Sequence, residues 1–116
     1  MQTKRLGRQS VRLKSPPSVV SFACVGGKME GRGPLASYFD ELYPDSFFGA
    51  DTWEQGESAM QRMALQRALE KGGLQPEELD YILAGDLLNQ CIGTSFGLRD
   101  FHDLLLGLHV RIYQLD

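Results

Sequence analysis

The stretch from Ala68 to Gln90, ALEKGGLQPEELDYILAGDLLNQ, decides the fold class of this sequence. It has the pattern of a helix end, a glycine stop, a short acidic turn, and an apolar strand that runs into a polar loop. A helix that leads through a short connection into a buried strand is typical of α/β folds with a parallel sheet. The stretch therefore predicts an α/β segment.

A long amphipathic helix is predicted just before that strand, from Trp53 to Lys71. Asp51 followed by Glu54 has the spacing of a capping box, and Gly72 allows the left-handed conformation that ends many helices. A glycine inside a helix, here Gly56, costs about 1 kcal/mol relative to alanine. The apolar residues that recur on one face, and that we expect to pack against the sheet, are Trp53, Met60, Met63, Ala64, Ala68 and Leu69.

Near-continuous apolar runs predict three strands that are buried on both faces. They are Val19–Val25, Tyr81–Ala84 and Leu104–Val110. Two further helices are predicted, one near Thr94 to Phe101 and one after Pro34. The apolar spacing that favours the second is Leu35, Tyr38, Phe39 and Leu42. The resulting order β-α-α-β-α-β predicts a mostly parallel sheet with covering helices.

The length of the chain and its charge distribution limit the number of domains and the kinds of partner. A chain of 116 residues forms one domain at most, residues 1–116. Its basic start, residues 1–14, has no acidic residue, and the alternation in QSVRL predicts a solvated first strand there. A nucleic-acid arm or a membrane tether is the alternative, although no aromatic platform favours nucleic acid. The basic residues are Lys4, Arg5, Arg8, Arg12 and Lys14.

The remaining composition points to a cytoplasmic protein. No apolar run approaches the roughly 18 residues that a spanning helix needs, and no secretory signal follows the basic start. Cys24 and Cys91 form no disulfide framework, so both are expected to be buried, reduced thiols. GGKM lacks the first glycine and the final Ser or Thr of a phosphate-binding loop.

Polar residues just past the Tyr81–Ala84 strand form the candidate ligand site. Asp86, Asn89 and Gln90 offer a carboxylate and two amides at a strand end, where open parallel sheets bind ligands. Loop capping or a subunit contact is the alternative. His102 and His109 have no metal-ligand spacing, and no nucleophile with a base can be assigned. We expect no catalytic residue, metal or cofactor.

Several stretches together resemble the amino-terminal part of the stage V sporulation protein AD family, over about residues 4 to 108. They are SPPSVVSFACVGGKMEGRGPLASYFDELY, GADTWEQGESAM, ALEKGGLQPEELDYILAGDLLNQ and SFGLR, of which GPLASYF and AGDLLNQ are the most specific. The resemblance implies a thiolase-like fold and a role in spore formation. It implies binding of dipicolinate (pyridine-2,6-dicarboxylate) during uptake into the forespore, together with other uptake proteins at the forespore membrane.

Departures from the family pattern begin near His102, and residues 102–116 differ from it. Ile112 stands where thiolase-like enzymes carry their cysteine, and HVRIYQLD replaces the small-residue turn. We therefore expect an amino-terminal fragment of one thiolase-like half, truncated before the family's ligand residues and prone to self-association. The resemblance implies a binding protein. A thiolase-like acyltransferase, with Cys91 as nucleophile, and a remnant without activity are the alternatives.

Overall fold

The computed structural model describes residues 3–6, 10–86, 92–101 and 104–109. Eight strands and helices lie within these ranges, along with four short 3₁₀ turns. In chain order they are β1 (Thr3–Leu6), β2 (Ser10–Leu13), β3 (Val25–Gly26), β4 (Glu41–Leu42), α1 (Trp53–Gly72), β5 (Tyr81–Asp86), α2 (Ile92–Gly97) and β6 (Leu104–His109). The α/β class predicted from the sequence is confirmed.

The long helix is confirmed, with its caps moved by one residue at each end. Thr52, not Asp51, is the N-cap, and its Oγ1 accepts from the backbone N–H of Gln55 at 3.3 Å. The Gln55 Oε1 accepts from the backbone N–H of Asp51, the residue before the N-cap, at 3.2 Å. At the other end Gly73, with φ 64°, takes the left-handed conformation predicted for Gly72.

β5 and β6 form the predicted parallel pair, with Tyr81 opposite Leu104 and Asp86 opposite His109. One face of β5 packs under the helices, and the core there consists of Leu69, Ile82, Leu98 and Phe101. Each buried side chain of this size contributes roughly 1.5–3 kcal/mol. The other face is open, because Tyr81 is 48% exposed and Leu83 is 68% exposed. Burial of β5 on both faces, as its apolar run predicted, is therefore wrong.

The predicted strand over Val19–Val25 is reduced to Val25 and Gly26, which pair in parallel with Glu41 and Leu42. Val19, Val20 and Phe22 are 85%, 70% and 72% exposed, so the prediction of a buried strand is wrong for them. The physical reason is that β4 is only two residues long and offers no backbone partner further towards the N-terminus of β3.

The helix predicted after Pro34 is also wrong. A 3₁₀ turn spans Ala36–Tyr38, and the chain then enters β4. The backbone N–H groups of Asp40 and Glu41 both donate to the carbonyl of Cys24, at 2.9 and 3.4 Å. Hydrogen bonds to a neighbouring segment have replaced the helical bonds that the apolar spacing favoured.

The basic start forms a hairpin in which β1 and β2 pair antiparallel, with Lys4 opposite Arg12. This agrees with the strand predicted from QSVRL. The helix predicted near Thr94 to Phe101 is present in two pieces, α2 and a 3₁₀ turn at Arg99–Phe101. Val110, the predicted end of the last strand, lies outside the described residues.

Candidate functional site

The carboxyl ends of β5 and β6 meet at one sheet edge, where the sequence placed the candidate site. Asp86 ends β5 and is the register partner of His109, which ends β6. Asn89 and Gln90 lie outside the described residues, as does Cys91, so their part in a site stays a prediction. The structure therefore places the backbone of Asp86 at the predicted edge and adds His109 to it.

Gln61 of α1 reaches this edge, which sequence reasoning missed. Its Nε2 donates to the carbonyl of Gly85 at 3.2 Å, one residue before the end of β5. Its Oε1 is buried and has no hydrogen-bond partner among the described residues. A buried amide oxygen without a partner is costly, so this atom marks a place where a further donor belongs.

A signal for Gln61 was present in the sequence. Gln61, Leu65 and Leu69 are spaced four residues apart, so they lie along one face of α1. Leu69 belongs to the core and Leu65 packs against it. The sequence predicts that Leu69 and Met63 both face the sheet. Leu69 is confirmed in the core, whereas Met63 is half-buried and lines an open groove. The face of α1 that meets β5 and α2 therefore includes part of the predicted stripe, together with Gln61 and Leu65.

α2 is held against α1 by polar contacts that begin just after the candidate loop. The Ser58 Oγ donates to the carbonyl of Gly93 at 2.8 Å, and the Arg62 Nε donates to the carbonyl of Gly97 at 3.0 Å. Arg62 also pairs with Asp100 at 3.1 Å. Because Gln61 holds the end of β5, α1 anchors the residues on both sides of the connection between β5 and α2.

A groove of about 580 Å³ is lined by residues of α1 and by Phe96 of α2. Arg62 is the cation of this groove, and its guanidinium is already engaged by Asp100 and the carbonyl of Gly97. Amides, a thioether and an aromatic ring supply the rest of the surface. The lining residues are Gln55, Ser58, Ala59, Arg62, Met63, Gln66 and Phe96.

A cluster of charged residues joins the C-terminal half of α1 to β4. Lys71 Nζ pairs with the Asp40 carboxylate at 2.6 Å, and Arg67 Nε pairs with Glu41 at 2.6 Å. The hydrogen bond from Lys71 lowers the pKa of Asp40, and the backbone N–H of Cys24, at 2.7 Å, lowers it further. Hydrogen bonds to Glu41 and then Glu70 raise the pKa of Arg67. Lys71 and Arg67 each have an acidic partner, so the cluster attaches α1 to the segment of β4.

Two further features limit the kinds of site that the described residues can form. Cys24 is exposed, which makes the expectation of a buried thiol wrong for this residue. The N–H of Gly27, in the glycine loop, donates to the Glu30 carboxylate at 2.9 Å, so an acidic side chain occupies the place an anion would need. Within the described residues, no group of three or more His, Cys, Asp or Glu side chains is arranged to hold a metal ion.

Comparison with known proteins assigns the family. The profile of the family described as Stage V sporulation protein AD (SpoVAD) matches residues 7–111. The chain belongs to the stage V sporulation protein AD family.

A curated relative supports the same family assignment. The chain is 34% identical over 96 residues to stage V sporulation protein AD of Bacillus subtilis (strain 168). The alignment takes in 83% of this chain and 28% of that relative, so the chain spans less than a third of the relative's length. The chain is thus a sporulation-related protein, and its matched range includes β5, α1 and the candidate edge.

None of the helices in the described ranges combines the length and apolar character required to cross a bilayer.

Proposed function

We propose that this chain forms the first α/β part of a thiolase-like domain, and that it takes part in dipicolinate binding during spore formation. The observation that carries the proposal is the family match over residues 7–111. A parallel β5–β6 pair covered on one face by two helices is compatible with such a domain. The proposed place of action is the forespore membrane, with other uptake proteins of sporulation as partners.

The charge of the ligand determines what this chain can contribute. Dipicolinate is a dianion, and a dianion requires convergent donors such as arginines, amides or helix amino termini. At the candidate edge the Gln61 amide already donates to Gly85, and Asp86 adds a negative charge. The edge is therefore expected to form one wall of a site whose cationic donors lie elsewhere in the family protein.

Calorimetric titration tests whether the cationic donors for dipicolinate lie outside this chain. Dipicolinate titrated into this chain at low salt is expected to give no saturable heat at micromolar ligand. The same titration is then made with a chimera, in which this chain replaces the matching part of the Bacillus subtilis relative. Saturable binding to the chimera is expected. Pyridine-3,5-dicarboxylate, which has the same charge and a different geometry, is the matched ligand control.

Two outcomes would contradict the proposal. Saturable binding to the isolated chain would place the whole site within these 116 residues. A folded chimera that ignores dipicolinate, while the parent relative binds it, would remove this chain from the ligand-binding function. Equal heats from both dicarboxylates would indicate binding by charge alone.

A further inference from the structure

Three large apolar side chains are exposed on the loop formed by residues 28–38. Met29 is 69% exposed, Leu35 is 61% exposed and Tyr38 is 79% exposed. Met29 and Leu35 each precede a 3₁₀ turn, Tyr38 ends the second turn, and the two turns lie side by side. Grouped apolar side chains on a protein surface mark a site that contacts another molecule or a membrane.

The backbone of the 28–38 loop is already ordered. Each 3₁₀ turn is closed by N–H groups that donate to carbonyls three residues earlier in the chain, at 3.0 to 3.3 Å. Directly after the loop, the Phe39 ring packs on Gly26 of β3, where an added Cβ would lie 2.7 Å from the ring. The three apolar side chains are therefore presented on a fixed backbone, so a contact with them costs little backbone entropy.

Two cations accompany the apolar side chains. Lys28 and Arg32 are exposed, and the ion pairs of the described residues involve neither of them. The single acidic residue of the loop, Glu30, accepts a hydrogen bond from the N–H of Gly27 at 2.9 Å. Two cations against one carboxylate leave the loop positive, although the chain as a whole has a net charge of -3.

The acidic side chains that follow the loop do not cancel this positive charge. Asp40 pairs with Lys71 at 2.6 Å, and Glu41 pairs with Arg67 at 2.6 Å. Each of these carboxylates is already neutralised by its own partner. The 28–38 loop is therefore a positive and partly apolar surface, and its charge fits an anionic partner.

We propose that the 28–38 loop docks on an anionic lipid bilayer. Its three exposed apolar side chains enter the bilayer–water interface, where tyrosine is enriched, and its two cations lie against the lipid phosphates. A protein partner fits this surface less well, because lysine is depleted in protein interfaces. The inference rests on the proposed place of action, the forespore membrane, and adds the surface that makes the contact.

Vesicle flotation with the purified chain measures this docking. Vesicles in which about a third of the lipid is phosphatidylglycerol are compared with vesicles of phosphatidylcholine alone. The chain, at a concentration where it is monomeric, should bind the anionic vesicles at low salt and dissociate as the salt rises. Binding to the neutral vesicles should be at least about tenfold weaker. Dipicolinate is absent, so the result is independent of the ligand-binding part of the proposed function.

A charge variant tests whether the cations of the loop make the contact. Lys28→Gln with Arg32→Gln should weaken binding to the anionic vesicles roughly 10- to 30-fold, since each cation at such a surface contributes about fivefold. Arg12→Gln with Lys14→Gln, at exposed positions outside the loop, removes the same charge and is the matched control. It should weaken binding less than about threefold, because charges more than a Debye length of about 10 Å from the bilayer are screened.

An apolar variant tests the other half of the surface. Met29→Ser with Leu35→Ser changes two exposed side chains, so the chain should melt as the parent does. Binding to the anionic vesicles should nevertheless fall at least about tenfold, because both side chains lose apolar contact with lipid. Leu83→Ser with Phe96→Ser, at apolar positions 68% and 60% exposed, is the matched control and should bind as the parent does.

A fluorescence reporter measures entry into the interface. Tyr38→Trp combined with Trp53→Phe places the single tryptophan of the chain on the loop. Its emission should shift to shorter wavelength on anionic vesicles, and lipids with brominated acyl chains should quench it. The parent is the control, because its Trp53 packs on Phe47, with ring centres 4.2 Å apart, and lies outside the loop. The parent emission should show neither change.

Any of three results would overturn the inference. The first is a chain that does not float with the anionic vesicles, which would leave the loop to a protein partner. The second is flotation that the Arg12, Lys14 variant abolishes and both loop variants retain, since the basic hairpin would then hold the membrane. In the third, Met29→Ser with Leu35→Ser leaves flotation unchanged and abolishes self-association, so that a second copy covers the loop.

Discussion

Gly56, inside α1, is the point where the helix meets the preceding turn. A Cβ placed there would lie 2.8 Å from the carbonyl oxygen of Phe47, which is backbone and cannot rotate away. A similar close approach brings Gly97 of α2 against the backbone of Ser58, where a Cβ would lie 2.7 Å from the carbonyl oxygen. The two glycines let neighbouring backbone pack on α1 at distances that any side chain would prevent.

Gly56→Ala should therefore destabilise the protein, although alanine is the better helix former by about 1 kcal/mol. Overpacking against fixed backbone costs typically 1–3 kcal/mol, so we expect a net loss of about 1 kcal/mol in chemical unfolding. Gly31→Ala is the control, because its nearest contact would be an ordinary 3.8 Å to Leu42. If Gly56→Ala instead unfolds at higher denaturant than the parent, the backbone at Phe47 has moved to make room for the added methyl group.

Leu69 and Met63 are both predicted from the sequence to face the sheet, and the structure places only Leu69 in the core. Leu69 is 6% exposed and packs with Ile82, so Leu69→Ala is expected to cost about 2–5 kcal/mol. Met63 is half-buried beside the open groove, so Met63→Ala should cost less. Met63→Asp should also cost less than Leu69→Asp, since water can reach the charge. Thermal melts in which Met63→Ala is the worse of the two alanine variants would restore the predicted face.

At the scale of elements, α1 holds α2, the end of β5 and the segment of β4 in place. Its N-terminal half holds α2 and the end of β5 through Ser58, Arg62 and Gln61. Its C-terminal half holds β4 through Arg67 and Lys71. The first set is hydrogen bonds to backbone carbonyls together with the Arg62–Asp100 pair, and the second is ion pairs. Acid should therefore loosen the β4 attachment before it loosens the α2 attachment.

The Asp40–Lys71 pair makes this testable. The pKa of Asp40 is held below its ordinary 3.8, so its contribution is present above that pH and is lost as pH falls through the lowered value. Asp40→Asn is expected to lower the melting temperature at neutral pH, and the difference from the parent should shrink below pH 3.8. The double variant Asp40→Asn, Lys71→Gln should lower the melting temperature by no more than the two single variants do together. A difference that persists unchanged into acid would contradict the assignment.

At the scale of the whole molecule, large apolar side chains are exposed at two places on the described surface. The outer face of β5 carries Leu83 at 68% exposure, and residues 17–23 form a second exposed patch. Parallel sheets are stable almost only when both faces are covered. The single covered layer explains why the core rests on so few fully buried side chains.

We expect the purified chain to self-associate or to bind an apolar dye such as ANS. Light scattering at increasing concentration, combined with dye fluorescence and a thermal melt, measures this. The Val19→Lys, Val20→Lys variant should reduce both signals. A monodisperse monomer with a sharp melt and no dye binding would mean that the chain closes its own core.

The sequence by itself determined the features that rest on local signals. The stretch from Ala68 to Gln90 predicted the helix end, the turn and a parallel strand correctly, because capping, glycine stops and apolar runs act over a few residues. The family was determined in the same way, since the resemblance depends on contiguous motifs such as AGDLLNQ. The carboxyl edge with Asp86 followed from the general placement of ligand sites in parallel sheets.

Tertiary structure alone decided which faces are covered and which segments pair. Residues 19–25 and 35–42 have clear strand and helix patterns, yet the hydrogen bonds from Asp40 and Glu41 to Cys24 set both structures. Of the predicted stripe, Leu69 lies in the core and Met63 does not, because β5 and α2 lie on the side of α1 that carries Gln61, Leu65 and Leu69. Periodicity shows that a segment has an apolar face, but the covering partner is distant in sequence, so only the assembled fold determines which face is buried.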